Sequence, residues 1–72
     1  MTVPPREALA DFNRAIELDP DATWLLVRRG PTYQAMGRYA DALADFCRAT
    51  DLDPDDAWAI SNRGEIYREM GR

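Results

Sequence analysis

The feature that most constrains this chain is an internal repeat with a period of 34 residues. When the sequence is shifted by 34 positions against itself, 18 of the 31 positions that align residues 8–38 with residues 42–72 are identical. The longest matched segment, residues 8–12, falls on residues 42–46, and both copies read Ala-Leu-Ala-Asp-Phe. A fixed period between about 20 and 50 residues is the signature of a solenoid, in which each repeat packs mainly on its neighbours. The chain is therefore predicted to fold as stacked copies of one unit.

Apolar spacing inside the repeat predicts four short helices. Hydrophobic residues recur three or four positions apart in each segment, which is the spacing of one helical face. The predicted helices cover residues 5–18, 22–36, 39–52 and 56–70. Asp21 and Asp55 are predicted N-caps, and Gly37 and Gly71 are predicted helix stops, because these residue types favour those positions. The short connections make consecutive helices antiparallel neighbours, whereas residues 1–4 are expected to form a loose tail.

The same spacing assigns an inward side to each helix. The residues expected to face the interior are Ala8, Leu9, Phe12, Ala15, Ile16, Leu26, Gly30, Tyr33, Met36, Tyr39, Ala42, Leu43, Phe46, Ala49, Ile60, Gly64 and Tyr67. Small residues among them are expected to allow close helix contact, with Gly30 packing on Ala42. Pro31 stands inside the second predicted helix, where the other copy has Glu65. Because proline removes a backbone hydrogen bond and crowds the preceding turn, we expect a kink or interruption near residues 27–31 and a straight fourth helix.

The composition favours a small folded domain and argues against several functions. The chain has 72 residues and a net charge of −4, and all nine basic residues are arginine. An acidic chain without a basic stripe is a poor candidate for nucleic-acid binding. Cys47, the only cysteine, cannot form an internal disulfide, and no apolar run reaches the length of a membrane span. We therefore expect a soluble, cytoplasmic protein that binds neither nucleic acid nor membrane.

No arrangement of residues predicts catalysis or metal binding. The sequence has no histidine, so the commonest general base is absent and Cys47 has no evident activating partner. Residues 51–56 read Asp-Leu-Asp-Pro-Asp-Asp, which imitates the start of a calcium-binding EF-hand loop. That loop needs Gly at its sixth position and Glu at its twelfth, where this chain has Asp56 and Asn62. We interpret the segment as a helix end followed by an N-cap, and we expect no catalytic residue, no metal and no other cofactor.

Eight residues of the central copy stand at the positions that define a known repeat pattern. They are Gly30, Tyr33, Gly37, Tyr39, Ala42, Phe46, Ala49 and Pro54. On these residues the chain resembles the tetratricopeptide repeat (TPR) family, whose repeat consists of two antiparallel helices, A and B. The resemblance implies an all-α, right-handed TPR solenoid that forms a single domain over residues 1–72. In that register residues 5–20 are helix B of a partial first repeat, residues 21–54 are a full repeat, and residues 55–72 are helix A of a partial third repeat.

The resemblance also implies a non-catalytic scaffold that binds a peptide or partner protein in a concave groove lined by the A helices. The groove is expected to contain Trp24, Val27, Arg28, Pro31, Gln34, Trp58, Ser61, Asn62, Glu65 and Arg68. One subclass of the family clamps a carboxylate with Lys, Asn and Arg, but only Arg28 and Asn62 fall near such positions, so the clamp is not carried over. Trp24 and Trp58 depart from the family pattern. Each either packs across the start of its helix against the preceding loop and helix B, or forms an aromatic rung in the groove.

An alternative function is self-assembly through the two end helices, neither of which has its partner helix in the predicted set. The apolar residues expected to stay uncovered are Ala8, Leu9, Phe12, Ala15, Ile60, Gly64 and Tyr67. A head-to-tail contact would place Gly64 of one copy on Ala8 of the next and give a homo-oligomeric ring or a filament. A two-fold pairing of like ends is a competing geometry. A third interpretation is that both ends are covered within a longer parent protein.

Overall fold

The computed structural model describes residues 5–71, and its four α-helices confirm the predicted all-α fold. The helices are α1 (Pro5–Leu18), α2 (Thr23–Ala35), α3 (Tyr39–Leu52) and α4 (Ala57–Glu69). Their bounds lie within one residue of those expected from the sequence. The tail expected at residues 1–4 lies outside the described residues. None of the helices described is both long enough and apolar enough to cross a membrane.

Each helix packs mainly on its neighbours in the sequence, as expected for a solenoid. The contact between α2 and α3 is the most extensive, followed by α3 with α4 and α1 with α2. Helices α2 and α4 also touch, so the two A helices are adjacent. The central core comprises residues that are at most 1% exposed, namely Leu26, Ala42, Phe46, Ala49, Ala59 and Ile66. The core therefore lies where α2, α3 and α4 meet.

A glycine in α2 permits the close approach of α2 and α3. A Cβ atom added to Gly30 would lie 2.5 Å from the ring of Phe46, which is closer than real Cβ atoms come to their neighbours. The Phe46 side chain is fully buried, so its ring fills the space that the missing side chain leaves. The expected contact of Gly30 with Ala42 stays a prediction. The nearest atoms belong to Phe46, because the longer aromatic side chain reaches across one helical turn further along α3.

Gly37 and Gly71 follow α2 and α4 and stop them as predicted. Their φ angles are +75° and +78°, in the left-handed region that glycine adopts without steric cost. At the end of α2, the Gly37 N–H donates to the Gln34 carbonyl at 3.0 Å and the next N–H donates to the Tyr33 carbonyl at 2.9 Å. These bonds satisfy carbonyl groups that the last turn of a helix otherwise leaves without a partner.

The predicted N-caps are wrong by one residue. Helix α4 is capped by Asp56, not Asp55, and the Asp56 carboxylate accepts a hydrogen bond at 3.2 Å from a backbone N–H in the first turn. Helix α2 follows Ala22, not Asp21, and Ala22 provides no side-chain cap. Each predicted cap instead lies inside a turn. In the second turn the Asp56 N–H donates to the Asp53 carbonyl at 3.2 Å, and proline occupies the second turn position that it favours.

The inward side of the A helices also differs from the prediction. Met36 was expected to face the interior but is exposed, whereas Ile60, Gly64 and Tyr67 are exposed as expected for a side of α4 that has no B helix. Helix α4 instead buries Ala59 and Ile66, and α2 buries Leu25 in addition to the expected Leu26. Helix α4 packs on α3, which is the B helix of the preceding repeat. The side of α4 that faces α3 differs from the side that would face the B helix of the same repeat. No described helix covers that second side.

Helix α2 runs without a break across Pro31. The expectation of an interruption is therefore wrong. Proline has a φ angle that suits a helix, and buried Leu26 and Gly30 on the preceding turns hold the backbone against α3. A sharper curvature of α2 than of α4 stays a prediction.

Candidate binding face

A hydrogen-bonded network around the Arg29–Asp45 ion pair joins three helices and fixes the position of α2. Arg29 Nε and Nη2 donate to the two carboxylate oxygens of Asp45 on α3 at 2.8 and 2.6 Å, and Nη1 donates to Asn13 Oδ1 on α1 at 2.9 Å. The Arg29 and Asp45 side chains are only 18% and 5% exposed. The hydrogen bond to Asp45 raises the pKa of the Arg29 guanidinium above its ordinary value. This network was not predicted from the sequence. Its signal was present, since Arg29 and Asp45 recur 34 positions away as Arg63 and Asp11.

The ring of Tyr33 lies beside two guanidinium groups. The Arg29 guanidinium carbon is 5.3 Å from the ring centroid, and that of Arg38 is 4.7 Å from it. Both distances are within the range of cation–π attraction. The aromatic residue near the end of α2 is thereby tied both to the Arg29 network and to the turn that leads into α3.

Helix α4 is held in place by polar contacts with α3 and α2. Arg63 Nη1 donates to Thr50 Oγ1 on α3 at 3.0 Å, and the Thr50 hydroxyl donates to the Cys47 carbonyl at 2.8 Å. Gln34 Nε2 donates to Glu69 Oε1 at 2.8 Å, which joins the C-terminal parts of α2 and α4. These contacts align the two A helices so that they present one shared surface.

The predicted groove residues lie along one stripe of each A helix, because they recur three or four positions apart. This surface, here named the A-helix face, comprises Trp24, Arg28, Pro31 and Gln34 of α2 and Trp58, Ser61, Asn62, Glu65 and Arg68 of α4. Pro31, Gln34 and Asn62 are half-buried and the others are exposed. Val27 is half-buried and packs against the central core. Val27 therefore lies at the edge of the stripe, next to buried Leu26, and is not included in the A-helix face.

Two tryptophans are the largest exposed side chains of the A-helix face. Trp24 is 58% exposed and Trp58 is 60% exposed, so more than half of the surface of each residue is open to solvent. The two values agree although α2 has its B helix and α4 has none among the described residues. Leu26 and Ile60, which are also equivalent, are 1% and 42% exposed. The exposure of the tryptophans is thus independent of helix B, unlike that of the residues beside them.

The polar groups of the A-helix face differ in how fully they are paired. Within α4, Arg68 forms an ion pair with Glu65, and Asn62 Nδ2 donates to the Trp58 carbonyl at 2.8 Å. The Arg28 guanidinium has no carboxylate partner among the described residues. Arg28 is consequently the charged group of this face that is most readily available to a ligand.

The residues expected to mediate self-association lie on the two end helices. Those of α4 are all exposed, namely Ile60, Gly64 and Tyr67. Three of those on α1 are half-buried, namely Ala8, Phe12 and Ala15. The fourth, Leu9, is only 8% exposed, so its expected exposure is wrong. Helix α1 packs on α2, and Leu9 lies on the side that meets it.

Comparison with known protein families identifies the repeat. A family model described as "TPR repeat" matches residues 30–71, which is more than half of the chain. The matched segment begins at buried Gly30 and contains all of α3 and α4. A search of curated proteins found no match to this chain.

Proposed function

Because this chain belongs to the tetratricopeptide repeat family, a family of protein–protein interaction modules, we propose that it binds an extended peptide segment of a partner protein across the A-helix face. Repeats of this family are typically non-catalytic scaffolds. The observation that carries the proposal is the matching exposure of Trp24 and Trp58 at equivalent positions of two adjacent helices.

Two indole rings at the repeat spacing offer two anchor points to one ligand. Tryptophan is enriched among the residues that dominate binding energy, because its large rigid ring buries much surface at a small entropic cost. Packed helices have axes about 10 Å apart, and an extended peptide covers that distance in about three residues. The ligand would therefore place two apolar side chains about three positions apart, one on Trp24 and one on Trp58.

The charges of the A-helix face suit a ligand with charges of both signs. Arg28 lies one helical turn after Trp24 and offers a guanidinium to a carboxylate. Glu65 and Arg68 neutralise each other within α4, so the face as a whole has no single strong sign. A platform of two A helices is small, and we expect a dissociation constant in the micromolar range or weaker, unless neighbouring repeats extend the surface.

The proposal can be tested with a panel of short synthetic peptides that carry acidic, basic or mixed charges around two apolar residues. Trp24 and Trp58 are the only tryptophans, so their two indole N–H resonances in NMR spectra report on the A-helix face directly. We expect mixed-charge peptides to shift both resonances. Trp24→Ala and Arg28→Ala are expected to weaken binding about tenfold each, as loss of an anchor or a charge contact commonly does.

Arg48→Ala is the matched control for Arg28→Ala, because Arg48 is an exposed arginine on α3, outside the A-helix face. Binding by the Arg48 variant should equal that of the unmodified chain. Peptide-induced shifts confined to α1 and α3 would show that the binding surface has been assigned to the wrong helices.

A further inference from the structure

The contact between α2 and α3 shows which groups complete a pair of A and B helices. The Phe46 ring covers Gly30, and Asp45 receives two hydrogen bonds from the Arg29 guanidinium. Both residues of α3 are buried, with Phe46 at 0% and Asp45 at 4% exposed. The contact thus combines an apolar half around the glycine with an ionic half around the neighbouring arginine.

Helix α4 carries the α2 half of this contact a second time. Arg63 and Gly64 occupy the positions of the arginine and glycine just described. A Cβ atom added to Gly64 would meet no atom within 4 Å. The flanking residues Ile60 and Tyr67 are 42% and 38% exposed. Among the described residues, the space that a B helix would fill beside α4 is therefore open.

Helix α1 carries the α3 half of the contact a second time. Asp11 and Phe12 are equivalent to Asp45 and Phe46, which lie 34 positions later. Asp11 is exposed and Phe12 is half-buried, whereas both of their equivalents are buried. Each chain thus presents, on two different helices, the two complementary halves of an interface that it also contains in complete form.

The hydrogen bonds of Arg29 and Arg63 also show that the contact is complete in α2 and incomplete in α4. Arg29 uses Nη1 to reach back to Asn13 on the preceding B helix, and Nε and Nη2 to reach forward to Asp45. Arg63 likewise uses Nη1 to reach back to Thr50 on the preceding B helix. Its Nε and Nη2 donate to no described side chain. The Nε and Nη2 groups of Arg63, which correspond to the Arg29 groups that bind Asp45, are therefore available to a carboxylate.

We propose that the open side of α4 binds α1 of a second copy of this chain, with Phe12 covering Gly64 and Asp11 paired with Arg63. The complete α2–α3 contact specifies this partner, because α1 supplies both an aromatic ring and a carboxylate at the required spacing. Gly64 thereby faces Phe12 and not Ala8, as Gly30 faces Phe46. The contact is head-to-tail, so association continues until a ring closes or a filament forms.

Sedimentation velocity of the 72-residue chain over a wide concentration range tests the association itself. We expect the average mass to rise above 8.2 kDa as concentration increases, because a heterologous contact adds one copy at a time. A monomer that persists up to millimolar concentration overturns the proposal.

Charge reversal tests the proposed pairing. Asp11→Arg places two arginines opposite each other in every contact, and Arg63→Asp places two aspartates opposite each other, so each variant alone should associate at least about tenfold more weakly. In an equimolar mixture, the two variants can alternate along the assembly. Every contact between unlike variants then contains one arginine and one aspartate. The mixture should therefore regain association, and failure to regain it while both variants keep their helical circular dichroism overturns the pairing.

Two further variants separate this geometry from a two-fold pairing of like ends. Glu17→Arg makes the same charge change on α1 at an exposed position whose equivalent, Asp51, is also exposed. It should leave association unchanged. Gly64→Leu fills open space within its own chain but blocks the approach of Phe12, and should abolish association while the monomer stays folded. If Asp11→Arg leaves association unchanged while Gly64→Leu abolishes it, α1 is not the partner and the proposal fails.

Discussion

Helices α2 and α4 carry equivalent glycines in very different surroundings. Gly30 lies so close to Phe46 that a Cβ atom would come within 2.5 Å of the ring, whereas Gly64 has no atom within 4 Å of the same position. Leu26 and Ile60 differ in the same way, but Trp24 and Trp58 do not. The comparison separates two kinds of exposed surface. One kind is covered by a B helix in α2 but by no described helix in α4, and the other is exposed in both copies.

The largest effect is expected from breaking the ionic half of the α2–α3 contact. Asp45→Ala leaves the Arg29 guanidinium, which is 18% exposed, without its carboxylate, and should lower the free energy of unfolding by about 3 kcal/mol. Asp11→Ala removes the equivalent carboxylate on α1, where it is exposed, and should change stability by less than about 0.5 kcal/mol. Urea denaturation at low protein concentration measures both values.

An equal loss of unfolding free energy in Asp45→Ala and Asp11→Ala would contradict the expectation that the buried ion pair is worth more than the exposed carboxylate. Asp45→Asn is a useful intermediate, because it keeps one acceptor for Arg29 but removes the charge. Its stability should lie between that of Asp45→Ala and that of the unmodified chain.

A smaller effect is expected from making α2 resemble α4 at the position of the proline. Pro31→Glu restores a backbone donor for the Val27 carbonyl and introduces the residue found at the equivalent position 65. A proline inside a helix is about 3 kcal/mol less favourable than alanine. Because half-buried Pro31 also makes contacts that glutamate would not reproduce, we expect a gain of about 2 kcal/mol. Thermal unfolding followed by circular dichroism should show a Tm higher by roughly 10 °C.

The converse substitution, Glu65→Pro, serves as the control for that change. It should destabilise α4 and lower its helical content. An unchanged or lower Tm for Pro31→Glu would show that proline contacts outweigh the missing hydrogen bond in this helix.

The smallest effects, of opposite sign, are expected from the two glycines themselves. Gly30→Ala forces the buried Phe46 ring to move and should cost about 1 kcal/mol, since overpacking exceeds the gain in helix propensity. Gly64→Ala meets open space and should raise the free energy of unfolding by up to about 1 kcal/mol. The measurement is again urea denaturation at low protein concentration. The same sign for both variants would contradict the difference in packing that the two glycines display.

The repeat period made most of the fold predictable, because one set of local preferences had to be satisfied twice. Helix bounds and the stops at Gly37 and Gly71 were correct for that reason. The N-caps were missed because an Asp-Pro-Asp turn offers several aspartates, and only the turn geometry selects Asp56 and excludes Asp55. The side of α4 that packs on α3 was missed, because periodicity shows which residues share a side, but not which of two sides meets a neighbour. Ala59 and Ile66 therefore appeared only in the structure.

The residues of the proposed binding face were less predictable than the fold. Helical spacing placed Trp24 and Trp58 on one stripe, but their exposure depends on rotamers that no sequence pattern specifies. The Arg29–Asp45 pair could have been inferred, since two oppositely charged residues that recur at fixed repeat positions on adjacent helices suggest an ion pair within a complete repeat.

The sequential packing of the helices also determines how the chain folds. The most extensive contacts join α1 with α2, α2 with α3, and α3 with α4, whereas the contact between α2 and α4 is smaller, so most native contacts close only a short loop and lose little chain entropy. Folding of such a chain is rapid, because no distant segments have to meet before native contacts form. The α2–α3 pair, with the buried ring and ion pair, is the natural nucleus, and α1 and α4 add to it from either side. Amide hydrogens should accordingly exchange most slowly in α2 and α3 and faster towards both ends of the chain.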